Sequence, residues 1–157
     1  MSKRIYPRTE KLGWFGPKIS ISEFEYVTLK RIPILRGVDY ALTREFEITL
    51  PWLVPDVSEL IPGVLFCQGR MVIQSGSRWN GASGPTIDTA NVIMPSLVHD
   101  MLYAILEKYG EMYFTREEAD RFFYLLLRAE GMWWLRARSW YRAVRRFGGR
   151  NNGFLVG

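Results

Sequence analysis

The apolar residues of this 157-residue chain change period once, and the change divides it into two kinds of structure. From about Ser20 to Ser77 they recur every second residue. Phe24, Tyr26 and Thr28 are spaced this way, as are Phe46, Ile48 and Leu50 within Thr43-Arg44-Glu45-Phe46-Glu47-Ile48-Thr49-Leu50. A period of two belongs to strands with one face buried. Val64-Leu65-Phe66 and Met71-Val72-Ile73 are compact apolar runs bounded by Gly63, Gly69 and Gly76, and Pro51, Pro55 and Pro62 mark loops. The economical reading is a small, mostly antiparallel sheet.

Beyond residue 90 the spacing becomes helical. Pro95 suits a first helical position, where its missing N–H has no partner to lose. Val98, Leu102, Ile105 and Leu106 follow on one face, and Gly110 is a C-terminal stop. Thr115-Arg116-Glu117-Glu118 reads as a capping box opening a second helix through Ala119, Phe122, Phe123, Leu126 and Leu127 to near Gly131. A third helix, Trp133 to Phe147, gathers Ala137, Trp140, Tyr141 and Val144 on one face with arginines around it. A sheet followed by three helices is an α+β domain, with the first two helices packed antiparallel. The expected organisation is an irregular N-terminal arm over 1–20, one domain over 21–150 and a short tail over 151–157.

Composition narrows the chemistry. Cys67 is the only cysteine and His99 the only histidine, which excludes an internal disulfide and a zinc site of the usual Cys/His type. Cys67 is expected to pack as a small apolar group. No apolar run approaches 18 residues, and the charged start Met1-Ser2-Lys3-Arg4 leads into no signal peptide. Location in a host cytoplasm or in a virion assembled there fits both observations. The net charge of +5 is concentrated at one end: residues 121–157 hold 8 arginines against Glu130 alone. Arg136, Arg138, Arg142, Arg145 and Arg146 therefore form a candidate surface for an anionic partner. A phospholipid surface and a nucleic acid are both conceivable, but no recognised nucleic-acid motif accompanies the charge, which disfavours the latter.

His99 lies in Val98-His99-Asp100-Met101-Leu102-Tyr103. On a helix it shares a face with Tyr103, four residues on, while Asp100 points about a quarter turn away. A lone histidine is most often a core residue bonded to a backbone carbonyl. Near a carboxylate it is also the smallest set of groups that activates water near neutral pH. Asp120, early in the second helix, reaches His99 if the helix pair is staggered. There it would fix the ring tautomer and support the imidazolium. Upstream, Asn80-Gly81-Ala82-Ser83-Gly84-Pro85 is a small-residue loop whose carbonyls, with Asp100, would offer an all-oxygen calcium site.

In order and spacing, residues 80–123 resemble the phospholipase A2 superfamily, with its glycine loop, His-Asp-x-x-Tyr helix and second Asp on an antiparallel helix. The resemblance implies His99 as general base, Asp120 as its partner and Tyr103 as a supporting hydrogen-bonder. It also implies Asp100, Gly81 and Gly84 as calcium ligands. A wider likeness, over about 40–148, is to the phage-borne family called domain of unknown function 1353. It is carried by Gly76-Ser77-Arg78-Trp79-Asn80-Gly81-Ala82-Ser83-Gly84-Pro85, Val98-His99-Asp100-x-x-Tyr103, Glu118-Ala119-Asp120-Arg121-x-Phe123 and Tyr141-Arg142-Ala143-Val144-Arg145-x-Phe147-Gly148. It implies a tailed-phage product. Together these give two expectations: a calcium-assisted lipid ester hydrolase, or a non-catalytic tail or connector protein that binds other phage structural proteins.

Overall fold

The period change is realised as a strand-rich half followed by three helices. The structure, a computed structural model, describes residues 2–5, 7–11, 16, 18–30, 38–80 and 90–148. The strands in chain order are β1 (Ser2–Ile5), β2 (Arg8–Lys11), β3 (Lys18–Ile21), β4 (Phe24–Lys30) and β5 (Val38–Leu42). They continue with β6 (Phe46–Thr49), β7 (Val57–Ile61), β8 (Val64–Cys67), β9 (Arg70–Ile73) and β10 (Arg78–Trp79). The helices are α1 (Ile93–Tyr109), α2 (Arg116–Ala129) and α3 (Trp134–Phe147). This is the expected α+β order, with the strands divided between two sheets. One has four strands in the order β1-β4-β5-β10, the other six in the order β2-β3-β6-β9-β8-β7.

Every strand pair given a register is antiparallel, including Phe46↔Ile73 and Val64↔Ile73. The two sheets share their chain. β3 leads through Ser22-Glu23 into β4, and the corner is held where Ser22 N–H donates to Glu47 O at 2.9 Å and Ser22 Oγ accepts from Glu47 N–H at 2.8 Å. The β8–β9 hairpin turns on Gln68-Gly69, with φ of 53° and 74°, the two positive values a type I′ turn requires.

The first twenty residues correct the sequence reading. The stretch expected to be an irregular arm holds β1, β2 and most of β3. Strands of four residues, rich in charge, carry little periodic signal, and pairing with β4 and β6 is what extends them. Trp14-Phe15, Arg150 and the tail 151–157 lie outside the described residues. Cys67 is exposed instead of packed: in β8 Val64 and Phe66 face the core, so strand alternation turns Cys67 outward.

α1 is the structural centre. Twelve of its residues are buried, because one side meets the sheets and the other meets α2. Trp79, 1% exposed, lies among Phe24, Tyr26 and Tyr40 and donates Nε1–H to Ser96 Oγ at 3.1 Å. At the far end Tyr109 donates its hydroxyl to Leu60 O at 2.7 Å. α1 begins at Ile93, two residues before Pro95. Any position in the first turn tolerates proline, since none of those N–H groups has a helical partner. α3 packs on α2 through a separate apolar cluster of Val92, Phe123, Leu127, Met132 and Ala137.

Candidate functional site

The site forms where α2 begins against the first half of α1. The capping box is present: Thr115 Oγ1 accepts from Glu118 N–H at 3.0 Å, and Glu118 Oε1 accepts from Thr115 N–H at 3.0 Å. It fixes the first turn of α2, and Asp120 follows on the face that includes the buried Ala119 and Phe123. The stagger the sequence allowed is realised. His99 Nε2 lies 2.8 Å from Asp120 Oδ1, and the carboxylate is fully buried. Tyr103 donates its hydroxyl to the same oxygen. The three predicted catalytic residues therefore meet.

Two further groups complete the cluster. Arg145 Nη1 donates to Asp120 Oδ2 at 2.8 Å, and Arg116 Nε lies 3.9 Å from that oxygen. Arg116 also donates from Nε to Tyr103 Oη at 3.2 Å, and from Nη2 to the carbonyls of Val144 and Arg145 at 2.9 and 2.8 Å. Those carbonyls belong to the last turn of α3, and that of Val144 also accepts from the Gly148 N–H at 2.8 Å. Gly148 follows directly. A methyl group there would meet the Val144 carbonyl and the Tyr103 ring, the latter 2.9 Å from Cε2.

The donor set decides the protonation. Tyrosine and arginine can only donate to a carboxylate in this arrangement, so Asp120 is ionised and His99 must donate as well. Burial alone would raise the Asp120 pKa, but the hydrogen bonds from His99, Tyr103 and Arg145 together outweigh it and hold it below the ordinary 3.8. Burial pushes the His99 pKa below the ordinary 6.5, against the opposing pull of Asp120. Burial and the bond to Asp120 also push the Tyr103 pKa well up. At neutral pH the ring is a neutral imidazole with its proton on Nε2, which leaves the lone pair on Nδ1.

The surroundings are tight. The His99 ring lies 4.1 Å from that of Tyr103 and 4.6 Å from that of Phe123, centroid to centroid, and His99 is 7% exposed. A groove of about 290 Å³ lined by Arg8, Ser22, Glu47 and Arg70 among others shares no residue with the cluster.

Asp100, the calcium ligand the resemblance implies, is 5% exposed. Gly81 and Gly84, its expected companions, lie outside the described residues. Among the described residues no three His, Cys, Asp or Glu side chains group as a metal site, and calcium takes six to eight oxygens.

On α3, Arg138, Arg142 and Arg146 are exposed, and Trp133, Trp134 and Leu135 at its start are 63%, 45% and 41% exposed. Arg136 and Arg145 are both partly buried, and Arg145 directs its guanidinium to Asp120. The sequence reading placed Arg145 with its neighbours because spacing alone does not distinguish an arginine at the edge of a packed face from a solvated one. Arg116 was missed, although its position four residues before Asp120 on a helix was a signal for pairing. No helix among the described residues is long and apolar enough to cross a membrane. No protein-family model matches the chain, and no curated protein or solved structure matches it.

Proposed function

We propose that the protein is a tailed-phage product and an ester hydrolase acting on lipid, with His99 as general base. The supporting observation is the 2.8 Å bond from His99 Nε2 to a buried, ionised Asp120, which leaves the lone pair on Nδ1. In the reaction Nδ1 takes a proton from water as the oxygen attacks the ester carbonyl. Asp120 stabilises the imidazolium, which then returns the proton to the leaving alkoxide. The test is fatty-acid release from mixed micelles with and without calcium. Release that is lost in His99→Asn with the fold intact supports the reading. No release at any calcium level from folded protein removes it.

A second reading is favoured by the closure around the ring. His99 is enclosed by Tyr103 and Phe123, and Asp120 binds groups from all three helices. A cluster built this way serves as a polar tie in a non-catalytic virion protein. That reading expects a fixed copy number in purified virions and normal assembly with His99→Asn. On either reading, we assign the outward face of α3, with Trp134, Arg138 and Arg142, to an anionic partner.

A further inference from the structure

Asp120 divides its two oxygens between elements. Oδ1 serves α1, accepting from His99 and Tyr103, whereas Oδ2 serves α3, accepting from Arg145 at 2.8 Å. Arg116 stands further off at 3.9 Å, with Nε donating to Tyr103 and Nη2 to the carbonyls of Val144 and Arg145. Arg145 is therefore gripped twice, through its own carbonyl and through its guanidinium. It is the one cation in hydrogen-bond contact with the carboxylate among the described residues.

We propose that Arg145 is a positioning residue of this site: by holding Oδ2 of Asp120 it keeps the His99 proton on Nε2 and the lone pair on Nδ1. A fully buried carboxylate that loses the cation bonded to it shifts towards its neutral form, and Arg116, left 3.9 Å from Oδ2, makes no hydrogen bond that replaces Arg145. Without Arg145, Asp120 takes one proton from solvent and donates it in a hydrogen bond to Nε2. The imidazole proton then resides on Nδ1. One proton is gained in total, and the ring no longer carries its lone pair on Nδ1. The effect on the tautomer is independent of catalysis, whereas the word positioning rests on the hydrolase reading.

Because His99 is the only histidine, ¹⁵N-histidine labelling gives one ring system to assign. At neutral pH the wild-type protein is expected to show an unprotonated Nδ1 and a protonated Nε2. Arg145→Gln is expected to lose that pattern and Arg145→Lys to restore it, while Arg44→Gln, in the exposed turn before β6, leaves it unchanged. Should Arg145→Gln fail to fold, Arg145→Met keeps the aliphatic stem packed and is read in the same way. A wild-type tautomer in the folded neutral variant overturns the proposal, even if the protein hydrolyses lipid. A lost tautomer sustains the tautomer effect even if wild-type protein releases no fatty acid, in which case only the hydrolase reading falls.

Discussion

At the scale of single residues, His99 and Asp120 share a direction of change: both have pKa values below their ordinary ones. For His99 the unfolded chain takes a proton near pH 6.5, whereas the folded site resists it until lower pH. Below that value the unfolded state therefore binds more protons, and the free energy of unfolding falls. Asp120 adds to the loss only in stronger acid, below the range near 3.8. Urea titrations between pH 7.5 and 5.5 are expected to show a decline that His99→Asn removes. Equal declines in both proteins would place the acid sensitivity elsewhere. Gly148 supplies a second prediction. Gly148→Ala presses a methyl group on the Val144 carbonyl and Tyr103, and overpacking of this kind costs about 1–3 kcal/mol. Chemical denaturation checks the loss, and an unchanged midpoint would mean that the end of α3 yields freely.

At the scale of elements, much of the site was legible because helix starts announce themselves. Thr115 and Glu118 located the first turn of α2, and Gly110 located the end of α1. The axial stagger was not legible, since it depends on how α1 settles between two sheets and α2. Thr115→Ala removes one side of the capping box and is expected to cost about 1 kcal/mol, read as a lower melting temperature. α3 behaves as a more separable unit than α1. It rests on a small cluster around Phe123 and Leu127, whereas α1 is buried along most of its length. Hydrogen exchange is expected to reach the amides of α3 well before those of α1. Equal protection would show that the polar ties of Arg116 and Arg145 bind α3 as firmly as the main core binds α1.

At the scale of the whole molecule, the division into strands and helices followed from periodicity, and the second sheet did not. Phe46, Ile48 and Leu50 face inward as their spacing required. A period of two names the buried face of a strand but says nothing about which sheet that face belongs to. Here the chain changes sheets at Ser22-Glu23 by a local pair of hydrogen bonds to Glu47, too small a feature to register in hydropathy. Phe123→Ala tests how far the second cluster is coupled to the site. It opens a cavity beside both His99 and Trp140, with an expected cost of about 3–4 kcal/mol in denaturation.

The order in which the site's parts occur along the chain has a consequence for biosynthesis. His99, Tyr103, Arg116 and Asp120 all precede Arg145, so a ribosome presents the acid before the cation that neutralises it. During that interval His99 and Tyr103 of α1 can already serve Oδ1, whereas Oδ2 still lacks the donor that α3 brings. The contact between Arg145 and Asp120, which needs α3, is therefore one of the last parts of the cluster that the nascent chain can complete.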